Sequence, residues 1–259
     1  MEKKFLFDIG ITNATEKEIL EYIITSLEKN GERYYIVTPN PEIIVYATKH
    51  AGLKDILNNA RLALCDGMGV FIASKILGKS LVARTTGVDL MESLCREVSK
   101  KPITVGFLGG RGKVAELTAE RLVSKYPGLK VSFAVEELPI LGAKQQEVSR
   151  IKYLVSSGNE KIQNTRYKIP NTDILFVAFG FPKQEEWMKE HIGKIPVRVA
   201  MGVGGSFDYV SGKVARAPKV VRQSGFEWFY RLLKEPWRWK RQLALFQFVG
   251  LLLKEKIKM

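Results

Sequence analysis

Histidine and cysteine are almost missing from this chain of 259 residues, which has only His50, His191, Cys65 and Cys95. Two cysteines make no disulfide framework, and a reducing cytoplasm is the simplest setting. The histidines lie far apart, and the six aspartates (8, 55, 66, 89, 173 and 208) never form D-x-D. No ligand spacing for zinc, calcium or magnesium is visible, so no residue is assigned to a metal and metal-dependent catalysis is disfavoured. His191, near the end of an expected helix, reads as a helix-terminal residue. Long apolar runs are lacking too. The longest, Leu243 to Leu253, is interrupted by Gln247 and Gly250, and a spanning helix needs ~20 apolar residues. The opening "MEKKFLFDIG" has neither the apolar stretch nor the small-residue cleavage site of a secretory signal, and the expected location is cytoplasmic.

Acidic residues are the remaining shortage. Against 41 Lys and Arg stand 27 Asp and Glu, for a net charge of +14. Such a balance concerns partners: nucleic acid, anionic lipid or phosphate-bearing substrates. From Lys213 to Met259 twelve Lys or Arg face three Glu, a net of +9, which leaves +5 for the first 212 residues. The excess sits in the tail. With 46% hydrophobic residues, the chain has material for one substantial core and a small appendage. We therefore expect a unit over 1–212 and a basic, aromatic appendage over 213–259, with Pro218 near the boundary.

What is present is an alternation. The β-rich runs "RYYIVTPN", "RLALCDG", "ITVGFLGG", "KVSFAV", "DILFVAFG" and "VRVAMGVGG" are separated mostly by segments of helical length. This order predicts an α/β fold, a Rossmann-like, largely parallel sheet flanked by helices. The polar, basic stretch 142–170 reads as a helix followed by a surface loop. Parallel sheets bind ligands at the carboxyl ends of their strands, and several of these runs end in Gly, Asn or Asp.

Each such ending has two readings. In "IVTPNPEII", Thr38 and Asn40 are placed to contact a sugar or phosphate, or Asn40 merely caps a helix that opens at Pro41. Asp66, in "LALCDGMGV", is placed to act as a general base, or to cap the next helix. Cys65 beside it reads as a small buried residue. "FLGGRGKVAE" brings Gly109, Gly110 and Gly112 to a strand-to-helix turn that can offer backbone N–H groups to a phosphate. Its G-G-x-G spacing departs from the dinucleotide fingerprint. In "AFGFPKQEEW", Gln184 binds substrate or opens a helix. Gly205 lies in the glycine-bearing end of the last run, and Asp208 after it contacts a ligand or fixes a turn.

Taken in order, "TPNPEI", "DGMGV", "RTTGVDL", "FGFPKQEEW", "GVGGSFDYVSGKVARAP" and "EWFYRLLKEPWRWKRQ" resemble the bacterial WecG/TagA/CpsF glycosyltransferases, from about residue 5 to 245. The resemblance implies an inverting transfer without metal or other cofactor. An N-acetylmannosamine-type sugar would move from a UDP-sugar to a polyprenyl-diphosphate-linked N-acetylglucosamine at the inner face of the membrane, in the synthesis of a surface polysaccharide or teichoic acid. It also implies that Asp66 is the base, that Thr38, Asn40 and Gln184 are polar active-site residues, that Arg84 is a pocket arginine, and that Arg231, Arg238 and Arg241 are the C-terminal arginines. One segment departs from the family's pattern. After "KVSFAV" the usual glycine-aromatic stretch is replaced by "EELPILGAKQQ", which leaves the donor sugar open.

Two other classes compete. "GFLGGRGKVAE" by itself suggests a nicotinamide-dependent oxidoreductase, and the Trp/Arg tail suggests a protein that tracks a nucleic-acid backbone. Neither gives the other strand-end motifs a purpose, and nucleic acid is not expected as a partner. The tail "GFEWFYRLLKEPWRWKRQLALFQFVGLLLKEKIKM" sets Trp and Arg beside a Leu/Phe-rich run, as a helix lying in an anionic membrane surface requires. The plainer reading is an amphipathic helix packed on the core. Both hold if the segment folds over the active site at the membrane and brings its arginines to the diphosphate. Whether the chain forms a homo-oligomer is left open.

Overall fold

A computed structural model describes residues 1–29, 32–137 and 169–258. The helix-and-loop expectation for 142–170 falls, up to residue 168, outside the described residues. In chain order the elements are strands β1 (Lys3–Leu6) and β2 (Ile9–Thr12), helix α1 (Glu16–Glu28), β3 (Tyr34–Val37), α2 (Pro41–Ala47), α3 (Ala51–Asn59), β4 (Leu62–Ala63), α4 (Met68–Ile76) and α5 (Gly87–Val98). After them come β5 (Thr104–Gly109), α6 (Val114–Lys125), β6 (Lys130–Val135), β7 (Thr172–Ala178), α7 (Lys183–His191), β8 (Val197–Gly202), α8 (Ser206–Val210), α9 (Lys219–Gln223), α10 (Glu227–Lys234), a 3-10 turn at Pro236–Arg238 and α11 (Trp239–Ile257).

The six β-rich runs are six strands of one sheet, in the order β4-β3-β8-β7-β5-β6, and every described pairing within it is parallel. In β7, Leu175 and Val177 join one apolar cluster while Ile174 and Phe176 join another, and Tyr35/Val37 and Tyr34/Ile36 of β3 divide the same way. A two-residue period with apolar groups on both faces is what a sheet covered on both sides requires. Helices α1, α5, α6 and α8 contribute to one layer; α2, α3, α4 and α7 contribute to the other.

Local chemistry explains the helix starts. Thr15 and Glu18 form a reciprocal capping box at α1, whose buried Ile19, Ile23 and Leu27 recur every four residues. Thr86 accepts from the Asp89 backbone to cap α5. The connection after β5 runs through α6 to the outer strand β6, whereas that after β7 runs through α7 on the opposite face to β8. Neighbouring strands whose connections diverge leave a crevice at their carboxyl ends.

The β1–β2 hairpin is an addition to the expected elements. Its turn residues Phe7 and Asp8 both have positive φ, 55° and 61°. Asn58 steadies the hairpin, accepting from the Gly10 N–H at 2.9 Å and donating to the Asp8 carbonyl at 2.9 Å. The Phe7 ring meets Phe248 of α11 edge-on, with centroids 5.4 Å apart.

The tail runs back over the body. Helix α11 lies along α2, with Phe248 and Leu252 buried in the core cluster. Leu243, Phe246, Val249, Leu253 and Ile257 form its exposed apolar stripe, and Phe226, Trp228, Phe229, Leu233, Trp237 and Trp239 are exposed just before or at its start. No described helix is long and apolar enough to cross a membrane.

Candidate active site

The carboxyl ends of β3, β5, β7 and β8 open into a cleft of about 960 Å³, walled on its far side by residues of the tail. Ten of the expected site residues line it: Thr38, Asn40, Asp66, Arg84, Gly110, Gln184, Gly205, Asp208, Arg231 and Arg241. Two do not share that placement. Gly109 lies behind the wall, where a Cβ would come within 2.7 Å of the Ala178 backbone and φ is +109°. Its missing side chain is therefore a packing requirement between β5 and β7. Arg238 belongs to the 3-10 turn, and its side chain lies outside the described residues.

Asp66 follows β4 at the floor of the cleft, its amide held by the Pro39 carbonyl at 3.1 Å. It caps no helix, since α4 begins after Gly67 without a side-chain cap. Burial pushes its carboxyl up to about 7. The Glu227 and Asp89 charges add to that, and Arg84 and Arg216 oppose it. A carboxylate with that proton affinity is matched to taking a proton near neutrality.

The other polar groups are engaged with the scaffold. Thr38 Oγ1 donates to the Gly202 carbonyl at 3.2 Å, tying β3 to β8. Asn40 Oδ1 accepts from the Ile43 N–H at 3.0 Å, the expected cap, with Pro41 as the first residue of α2. Gln184 is buried. Its Oε1 accepts from the Gly204 N–H at 3.0 Å, and its Nε2 donates to Glu185 at 2.8 Å. It thereby holds the turn after β8. Glu185 is wholly buried, with Oε2 lacking a hydrogen-bond partner, and burial pushes its carboxyl up to about 7.

Positive charge is supplied from several directions. Arg84 donates to the Arg222 carbonyl at 3.4 Å. The Arg231 guanidinium packs over Gly205, where a Cβ would lie 2.7 Å from Nη1, and stacks 4.7 Å from the Tyr209 ring. It pairs with Glu235 and, at 3.5 Å, with Asp208. Arg241 makes a bidentate pair with Glu42 of α2, at 2.8 and 2.7 Å. Arg231 and Arg241 are thus held by carboxylates, whereas Arg84 is held by a backbone carbonyl.

Arg111, Lys213, Arg216 and Glu227 also line the cleft and were not singled out from sequence. The signal lay in quoted motifs, "GGRG", "SGKVARAP" and "FEWFYR", in which isolated charges carry no mark of where they point. Among the described residues no group of three or more His, Cys, Asp or Glu side chains is gathered as a metal site. His191 closes α7, its Nδ1 2.8 Å from the Trp187 carbonyl, as expected of a helix-terminal residue.

Comparison with known proteins adds an independent line. A family model described as "Glycosyl transferase WecG/TagA/CpsF family" matches residues 5–259. A protein of Bacillus spizizenii is 31% identical over 256 residues, spanning 99% of this chain and 93% of its own length. One of Staphylococcus aureus is 32% identical over 259 residues, spanning 98% and 94%. A Bacillus subtilis protein is 29% identical over 256 residues. Each of the three is named N-acetylglucosaminyldiphosphoundecaprenol N-acetyl-beta-D-mannosaminyltransferase.

Proposed function

Because the chain belongs to the WecG/TagA/CpsF family of glycosyl transferases, we propose that it moves an N-acetylmannosamine-type sugar from a UDP-sugar to polyprenyl-diphosphate-linked N-acetylglucosamine. The observation that carries this reading is Asp66, a carboxyl held up at about 7 in a cleft at the strand ends that arginines line. The acceptor hydroxyl attacks the anomeric carbon as the bond from that carbon to the UDP oxygen breaks. Asp66 takes the hydroxyl proton, and UDP departs with the bonding electrons. One displacement inverts the sugar. Charge building on the leaving diphosphate is met by guanidiniums, with Arg84, Arg231 and Arg241 in reach of the cleft and Arg238 assigned to the same task by resemblance. Thr38, Asn40 and Gln184 hold the strand-end backbone in the shape that receives the donor, and Gly110, Gly205 and Asp208 border it. No resident metal or organic cofactor is invoked.

We further assign residues 213–259 to an appendage that rests on the inner, anionic face of the membrane, where the lipid-linked acceptor resides. Its support is the exposed apolar stripe of α11 and the exposed Trp237 and Trp239, set among the net charge of +9. Incubation with UDP-N-acetylmannosamine and a short-chain polyprenyl-diphosphate N-acetylglucosamine, with the product identified by mass, tests the reaction. One added N-acetylhexosamine is expected, in excess EDTA as well as in magnesium. No product with any UDP-N-acetylhexosamine refutes it.

A further inference from the structure

Part of the cleft's charge is arranged around a residue that the reaction scheme does not use. Arg216, in the loop after α8, donates Nη1 to Asp89 of α5 at 2.7 Å and Nε to Glu227 of α10 at 3.3 Å. Asp89 also receives the Thr86 hydroxyl and lies 3.6 Å from Arg222 of α9. Burial works against the Asp89 charge, but the hydrogen bonds from Arg216 and Thr86 and the charges of Arg216 and Arg222 outweigh it and hold its carboxyl below the usual range. One guanidinium thus ties the start of α5 to the start of α10. A partly buried network of this kind is a poor stabilising device, because desolvation offsets its attraction. It is good at fixing position.

What it fixes is a second carboxylate. Glu227 and Asp66 line the same cleft, and they come from segments about 160 residues apart in the chain. The charged groups acting on Asp66 are Arg84 before α5, Asp89 on α5, Arg216 after α8 and Glu227 on α10, with the Cys65 thiol adjacent. Two of the four charges, Arg216 and Glu227, arrive only when the C-terminal segment is seated.

We propose that Glu227 is a positioning residue for the reaction, latched into the cleft by Arg216, so that seating of α10 completes the charge environment in which Asp66 acts. The inference rests on the reading of Asp66 as the base. Like charge in a poorly solvated cleft makes a carboxylate hold a proton more firmly, and it makes that carboxylate the stronger acceptor from a hydroxyl. With α10 displaced, Asp66 would keep Arg84 and Asp89 nearby and lose both Glu227 and the weaker, opposing influence of Arg216, and would on balance be the weaker base.

Carbon-13 NMR of the full chain, labelled at the aspartate side-chain carboxyls, reads this without any turnover. One of six aspartate signals should titrate near 7 and vanish in Asp66→Asn, which assigns it. In Glu227→Gln that titration should move to lower pH while the signals of Asp8, Asp55 and Asp173, outside the Arg216 network, keep their positions, and Glu227→Asp should restore part of the shift. Adding Glu227→Gln to Arg216→Met should move it less than adding it to the parent, because the latch is already gone. An Asp66 titration unchanged by Glu227→Gln overturns the proposal, and equal shifts in the two backgrounds overturn the latch. Failure of the proposed reaction would show separately, as absent transfer with the NMR shift intact.

Discussion

Asp66 joins two consequences that separate cleanly in experiment. As the proposed base it must be ionised, so kcat/KM should fall as pH drops below about 7. Asp66→Asn keeps the shape and loses the proton affinity, and turnover should fall ~10²–10⁴-fold. Its folded carboxyl holds the proton more tightly than the unfolded one, from an ordinary 3.8 to about 7. That contribution to stability is complete below about pH 4 and is lost as pH rises through about 7. The asparagine carries no such dependence, so Asp66→Asn should be more stable than the parent to chemical denaturation at about pH 8, by roughly 1–3 kcal/mol, with the gain shrinking towards pH 4. A variant that is inactive and also less stable at pH 8 would point to damage rather than chemistry. Gly205 offers a second test. Its φ of −80° tolerates a side chain, yet a Cβ would sit 2.7 Å from Arg231 Nη1. Gly205→Ala should leave melting nearly unchanged and raise the donor KM about tenfold, the scale of one displaced charge-assisted hydrogen bond. A normal KM removes Arg231 from donor binding.

Strands β3 to β8 are readable one by one, because each is an apolar run, and all but β6 are followed closely by Gly, Asn or Asp. Their order is not. Bringing β8 between β3 and β7 depends on pairings such as Tyr35 with Ala200 and Val177 with Gly202, and no local pattern encodes a partner 165 residues away. The β1–β2 hairpin escapes for a different reason. A tight hairpin usually advertises itself by Asn-Gly or Asp-Gly, whereas here Phe7 and Asp8 take the left-handed turn, braced by Asn58 and by Phe248. The site shows the same division. Asp66 and the Asn40 cap are legible where they stand, but the meeting of Arg216 with Asp89, or of Arg241 with Glu42, needs the tail folded back. For α11 the packed-helix reading describes the side that carries Phe248 and Leu252, while the opposite side is an exposed apolar stripe for which lipid contact is the proposal. Phe248→Ala should cost about 3–5 kcal/mol, the range for emptying a buried aromatic site. A loss under 1 kcal/mol in chemical denaturation would mean that α11 is not docked in solution.

The net charge of +14 and the exposed aromatic stripe act over the entire surface, so the attachment test must leave the body intact. Deleting 213–259 would remove Phe248 and Leu252 from the core; substituting the outer face does not. Trp237→Ser, Phe246→Ser and Leu253→Ser together touch only residues 60–77% exposed. The triple variant should lose most of its co-sedimentation with anionic liposomes while its melting curve stays within a few degrees of the parent's. Unreduced sedimentation at matched salt would assign the stripe another purpose. The contact of Phe7 with Phe248 also orders events in time. A ribosome makes the hairpin and α2 long before it makes α11, so the seat for Phe248 waits open while more than two hundred further residues are added. Throughout its synthesis the nascent chain therefore has that apolar seat uncovered, and only the last helix closes it.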